Sequence, residues 1–168
     1  ARPPVAWHVA KFDSVNADSG VTFTRQDDDS YLVEGPQQTQ PAPDKDGYTI
    51  LVKAPRGEIT GLRVETLPDD RLPAQGAGRA QNGNFVLSDV RVYSAANRDL
   101  KKEHRAPLAT ARADFAQQKF PPANAIDGDV AKTGWAVSPQ MKVGHSIDFT
   151  TATPLPELEE RWIQIVLD

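Results

Sequence analysis

Ile59-Thr60-Gly61-Leu62-Arg63-Val64-Glu65-Thr66-Leu67 carries the period of a half-buried strand. Ile59, Gly61, Arg63, Glu65 and Leu67 alternate with Thr60, Leu62, Val64 and Thr66, so Leu62 and Val64 face one side while Arg63 and Glu65 face the other. Outward from this stretch, 14 prolines and 11 glycines cut the chain into short segments, most of them alternating or rich in β-branched residues. Strands are predicted over 5–12, 21–25, 31–34, 48–54, 59–67, 85–93, 145–149 and 162–167. Helix is confined to two candidates. The segment 95–105 is polar with no apolar stripe and reads as a solvated linker between two halves of a sandwich, and 123–126 reads as a short turn opened by Pro121-Pro122. The fold class is all-β, a two-sheet sandwich or jelly roll.

Composition narrows the function classes. A length of 168 residues suits one domain with a sizeable core. The net charge of −4, with Lys and Arg scattered, leaves no basic stripe to track a phosphate backbone, so nucleic acid is not an expected partner. No apolar run reaches the roughly 20 residues of a membrane span. The opening Ala1-Arg2-Pro3-Pro4 lacks a signal peptide's apolar stretch, so the chain reads as an excised or processed module. The absence of cysteine excludes disulfides, thiolate metal sites and cysteine nucleophiles.

The sequence holds no G-x-S-x-G elbow, H-E-x-x-H pair or P-loop, and His8, His104 and His145 sit in unrelated segments, so no enzyme is expected. Gly76-Ala77-Gly78-Arg79-Ala80-Gln81 fails as a dinucleotide fingerprint at Gln81 and reads as an ordered surface loop. That loop nevertheless concentrates planar donors and acceptors. Arg79, Asn82 and Asn84 are the groups that grip vicinal sugar hydroxyls, while the simpler reading makes Asn82-Gly83 a turn and pairs Arg79 with Asp69 or Asp70. His145 opens a strand, as a polar ligand contact or as a satisfied structural histidine. Asp44-Lys45-Asp46-Gly47 starts like an EF-hand loop but meets Pro55 where a bidentate Glu is required. Asp27-Asp28-Asp29 reads as a solvated turn, and Trp7 and Trp162 as core residues packing where the first and last strands meet.

Pro121 to Asp129 and Thr133-Gly134-Trp135 hold the remaining chemistry. Asp127-Gly128-Asp129 sets two carboxylates on a tight loop with a hydroxyl just behind, which suits either a hard cation such as Ca²⁺ or a plain Asp-Gly turn beside a core Trp135.

The stretch from 109–115 through Asn124-Ala125-Ile126-Asp127-Gly128-Asp129 to Thr133-Gly134-Trp135 resembles the opening of discoidin (F5/8 type C, galactose-binding-like) modules. The wider order of motifs covers nearly all of the chain. Trp7, Asp29-Ser30, Asp46 with Tyr48-Thr49, Ile59 to Glu65, Leu67-Pro68-Asp69, Gly76 to Arg79, Asn82 to Ser88, Ala113-Asp114-Phe115, Ala125 to Gly128, Gly134 to Val137 and His145 are similar to the sandwich module of planctomycete-type exported proteins that also carry a cytochrome c domain. Such modules usually run on into a further Gly-Arg-Phe-Arg-like strand. Residues 1–168 are therefore expected to form one β-sandwich domain that is a fragment of a larger multidomain protein or lacks an edge.

The resemblance implies a galactose-binding-domain-like jelly-roll sandwich outside the cytoplasm, periplasmic, cell-surface or secreted, often binding carbohydrate and often holding a structural Ca²⁺. By motif position Asp127, Asp129 and Thr133 would supply metal oxygens, with carbonyls near Asn124 and Trp135. Glu157, Glu159 and Glu160 are the candidates for a further acidic ligand. The expectation is a non-catalytic carbohydrate-binding module that reads a polysaccharide or glycan with Arg79, Asn82, Asn84 and His145 beside an aromatic, its other partners being domains of the same polypeptide. The rival expectation is a structural or protein-interaction domain with no small ligand.

Overall fold

Short alternating segments find antiparallel partners throughout the protein, described by a computed structural model over residues 5–35 and 44–168. Among those residues the strands are β1 (Phe12–Ala17), β2 (Thr22–Arg25), β3 (Tyr31–Glu34), β4 (Tyr48–Lys53), β5 (Ile59–Thr66), β6 (Val86–Leu87), β7 (Val90–Ala95), β8 (Leu108–Ala113), β9 (Trp135–Ala136), β10 (His145–Leu155) and β11 (Trp162–Leu167). Helix is limited to single 3₁₀ turns at Pro73–Gln75, Lys102–His104 and Pro122–Ile126. No helix among the described residues is long and apolar enough to cross a membrane.

The two larger sheets run β1-β4-β11-β7 and β5-β10-β8, and β2-β3 and β6-β9 form two-stranded ladders beside them. Each large sheet turns one face inward. Ile50 and Val52 of β4, Val90 and Val92 of β7, and Ile163 and Ile165 of β11 join Ile147 and Phe149 of β10 in one buried cluster, with Leu62 and Val64 of β5 packed against it. The chain is thus an all-β sandwich. Trp135, Val137 and Ala125, all fully buried, belong to the same core, and the Trp135 indole donates to the Phe115 carbonyl at 2.8 Å. Leaving such side chains in water would cost about 1.5–3 kcal/mol each.

The alternation in 59–67 is borne out: Leu62 and Val64 face the core, and Arg63 on the outer face makes a bidentate pair with Asp148 at 2.6 and 2.7 Å. The Asp27-Asp28-Asp29 turn also forms, with Asp29 at φ 68° and the Ser30 N–H bonded to the Asp28 carboxylate.

Four expectations are corrected. Residues 5–11 enter no ladder, and β1 begins at Phe12; Val5, Trp7 and Val9 are exposed. Trp162 is buried as expected, with Lys53 and Arg98 over its ring, but Trp7 is exposed, its ring 4.5 Å from the Arg63 guanidinium. The single strand over 85–93 breaks into β6 and β7, because the Ser88 and Asp89 amides turn aside to the Asp168 carbonyl. Finally, 95–105 does join the two sheets but is no loose linker. Arg98 reaches Asp13 on β1, Arg105 stacks on Tyr93 at 5.5 Å, and the Ala106 N–H returns to Val92 at 2.8 Å.

Candidate ligand-binding site

The loop 76–85 is built by glycine. A Cβ on Gly76 or Gly78 would run into the backbone of Gly83 or Asn84, and Gly83 sits at φ +78°, so two passes of chain lie in contact. The Gly78 N–H bonds to Gly83 and the Gly83 N–H to Ala80, so Asn82-Gly83 closes a turn. The side chains expected to read sugars are used within this architecture. Asn82 Oδ1 accepts the Asn84 N–H at 3.1 Å. Asn84 donates to Gln117 Oε1 at 3.0 Å and accepts the Val137 N–H at 3.3 Å, while Gln117 Oε1 also takes the Ser138 N–H. Arg79 pairs with neither Asp69 nor Asp70. Its Nη1 lies 3.8 Å from Asp46, which also holds the Ser19 N–H and hydroxyl, and Asp69 is taken by Arg71. Burial pushes the Tyr48 phenol up, opposed by the Arg79 guanidinium, which donates to it.

His145 is 4% exposed and fully partnered. Nδ1 lies 2.9 Å from Asp114 Oδ2 and Nε2 lies 3.0 Å from the Gln140 carbonyl. The aromatic beside it, Phe115, is half-buried. No hydrogen bond joins Arg79 or His145 to the other expected ligand residues, so the loop end is a lattice of separate braces.

Asp127, Asp129 and Thr133 do come together. The Thr133 hydroxyl lies 2.9 and 2.7 Å from the two Asp127 carboxylate oxygens and 3.1 Å from the Asp129 carbonyl. Asp127 also accepts the Asp129 N–H, and Asp129 accepts the Ala131 and Lys132 amides, with Gly128 at φ +81°. These oxygens are of the class calcium takes. Among the described residues no three acidic or histidine side chains converge as around a metal, and Glu160 is paired with Lys53 elsewhere. The loop closes on its own hydrogen bonds.

An open groove lies instead on the outer face of the four-stranded sheet. In register, Thr49 of β4, Val166 of β11 and Arg91 of β7 form one row, and Gln164 and Tyr93 stand in the next. Leu100, Lys101 and Lys102, from the segment tied across this face, form the wall of this shallow groove of about 490 Å³. In a second groove, lined by Lys53, Arg56, Glu159, Glu160 and Arg161, Lys53 pairs with Glu160 and Arg161 is held by neutral acceptors, the Ser94 hydroxyl and the Pro156 carbonyl.

Arg91 is the electrostatic centre of the first groove. It pairs with Asp168, its Nε lies 3.5 Å from the buried Asp89, and that Nε has no hydrogen-bond partner among the described residues. Burial pushes the Asp89 carboxyl up, Arg91 and Arg105 pull it back, and Asp168 raises it again.

Sequence reasoning offered Tyr93 as one of several aromatics that could stack on a sugar ring but passed over Thr49, Arg91 and Gln164 as ligand contacts. The signal was present, since these are the outward positions in strands whose inward positions are Ile50, Val52, Val90, Val92, Ile163 and Ile165. Comparison with protein-family models, with curated proteins and with solved structures gives no match, so function is read from these residues alone.

Proposed function

We propose that this chain is a non-catalytic carbohydrate-binding module of a larger exported protein, and that it takes its glycan in the outer-face groove rather than on the 76–85 loop. The observation that carries the reading is the lining of that groove: a hydroxyl (Thr49), a primary amide (Gln164), a guanidinium (Arg91) and an aromatic ring (Tyr93) on one rigid sheet face. Planar donors and a ring beside them suit hydroxyl pairs on one side of a sugar and its apolar face on the other. Support for a galactose-binding-like jelly roll is the seating of the last strand, β11, between β4 and β7, which interleaves distant parts of the chain. Calcium belongs to this proposal as a structural ion, with Asp127, Asp129 and Thr133 contributing oxygens.

A glycan array followed by titration calorimetry, with and without calcium, tests the reading. Binding is expected to survive Asn82→Ala and to fall at least tenfold in Gln164→Ala, with the melting temperature of the latter within about 2 °C of the parent. No binding to neutral or acidic polysaccharides in either condition removes the proposal. The second reading, a spacer or protein-interaction domain, draws support from the internal use of Arg79, Asn84 and His145.

A further inference from the structure

The groove carries a charge that the molecule as a whole does not. The chain has 23 acidic and 19 basic side chains, yet Arg91, Lys101 and Lys102 line the groove and no carboxylate does. The two lysines of its wall are weakly committed, whereas Arg91 is held by Asp89 and Asp168. Lys101 faces Asp99 at 3.5 Å with both side chains more than half exposed, a pairing worth little in water and easily exchanged. Lys102 makes no ion pair among the described residues, and Arg91 shares its guanidinium between Asp89 and Asp168. Arg105 adds a further cation at the margin, stacked on the Tyr93 ring.

Resting on the glycan reading above, we propose that the groove selects an anionic polysaccharide, one whose sugars carry carboxylates or sulfates. Lys101 and Lys102 meet the anion from the wall, while Gln164 and Thr49 on the floor contact ring hydroxyls. Charge-assisted hydrogen bonds of this kind are roughly twice as strong as neutral ones. Local positive potential on an acidic protein also directs such a ligand to this face rather than over the whole surface.

The test compares an oligogalacturonate with its methyl-esterified form, by calorimetry at 50 and 200 mM salt, on the parent chain and on Lys101→Gln/Lys102→Gln. Both lysines are exposed, so the variant keeps its fold. The acid form is expected to bind at least tenfold tighter than the ester, to weaken several-fold between the two salt concentrations and to lose at least tenfold in the variant. Equal binding of acid and ester, or an unchanged variant, overturns the inference and leaves the glycan reading standing. Binding of polyglutamate with the same lysine dependence overturns it by pointing to an acidic peptide. Failure of every oligosaccharide to bind removes both.

Discussion

Both ring nitrogens of His145 face acceptors, the Asp114 carboxylate and the Gln140 carbonyl, so the imidazole cross-links β10 to the end of β8 and to the turn before β10. Asp114 completes the brace by accepting the Ser146 N–H at 3.0 Å. Burial pushes the Asp114 carboxyl up, but the hydrogen bonds from His145 and Ser146 outweigh it and hold the group below the usual aspartate range. A carboxylate depressed in the folded state contributes stability above its unfolded pKa and loses it as pH falls through the folded value. Asp114→Asn is therefore expected to melt lower than the parent at pH 7, with the gap closing below about pH 4. Melting curves from pH 7 to pH 2 read this directly, and a gap that stays constant throughout contradicts it. His145 opening a strand after a glycine was legible as a polar residue with a purpose. Its purpose was not, because Asp114 lies 31 positions away and only the β8–β10 register brings it near.

At the scale of elements, the 76–85 loop is a structural lock. Gly78 lies so close to Asn84 that any Cβ overlaps the carbonyl. Overpacking costs about 1–3 kcal/mol where side chains can yield, and more where the obstacle is backbone. Gly78→Ala is expected to exceed about 3 kcal/mol in denaturant unfolding, while Gly144→Ala, whose Cβ would meet only Leu67 at 3.5 Å and the Thr66 carbonyl at 3.7 Å, stays within about 1 kcal/mol. Similar costs for the two would mean that the loop yields. The ladders show which local patterns transmit through sequence. β3 and β11 run over 31–34 and 162–167 as their alternation predicts. Leu108–Ala113 is a strand of small residues, LATARA, with little apolar contrast to announce it, and β9 is two residues long. In 5–11 the opposite holds: Val5, Trp7 and Val9 alternate, but alternation reports an extended backbone and a ladder needs a neighbour.

Over the whole molecule, the sandwich was legible because inward apolar positions recur in β4, β5, β7, β10 and β11, and one core gathers them. The groove was not, because its residues come from 49, 91–93, 100–102 and 164–166 and meet only through the β4-β11-β7 order. That arrangement sets Arg91 between two environments, the groove on one side and Asp89, 4% exposed, on the other. Burial pushes the Asp89 carboxyl up, and Arg91 opposes this most, with Arg105 assisting, Asp168 adding to the rise and the Gly128 amide donating to it. An anion drawn into the groove competes for the same guanidinium and leaves Asp89 less compensated. Loss of that compensation pushes its carboxyl further up, so binding is expected to be accompanied by proton uptake. Heats of binding measured in buffers of unequal ionisation enthalpy count those protons. A heat that is the same in every buffer would mean that Arg91 serves its two neighbours independently.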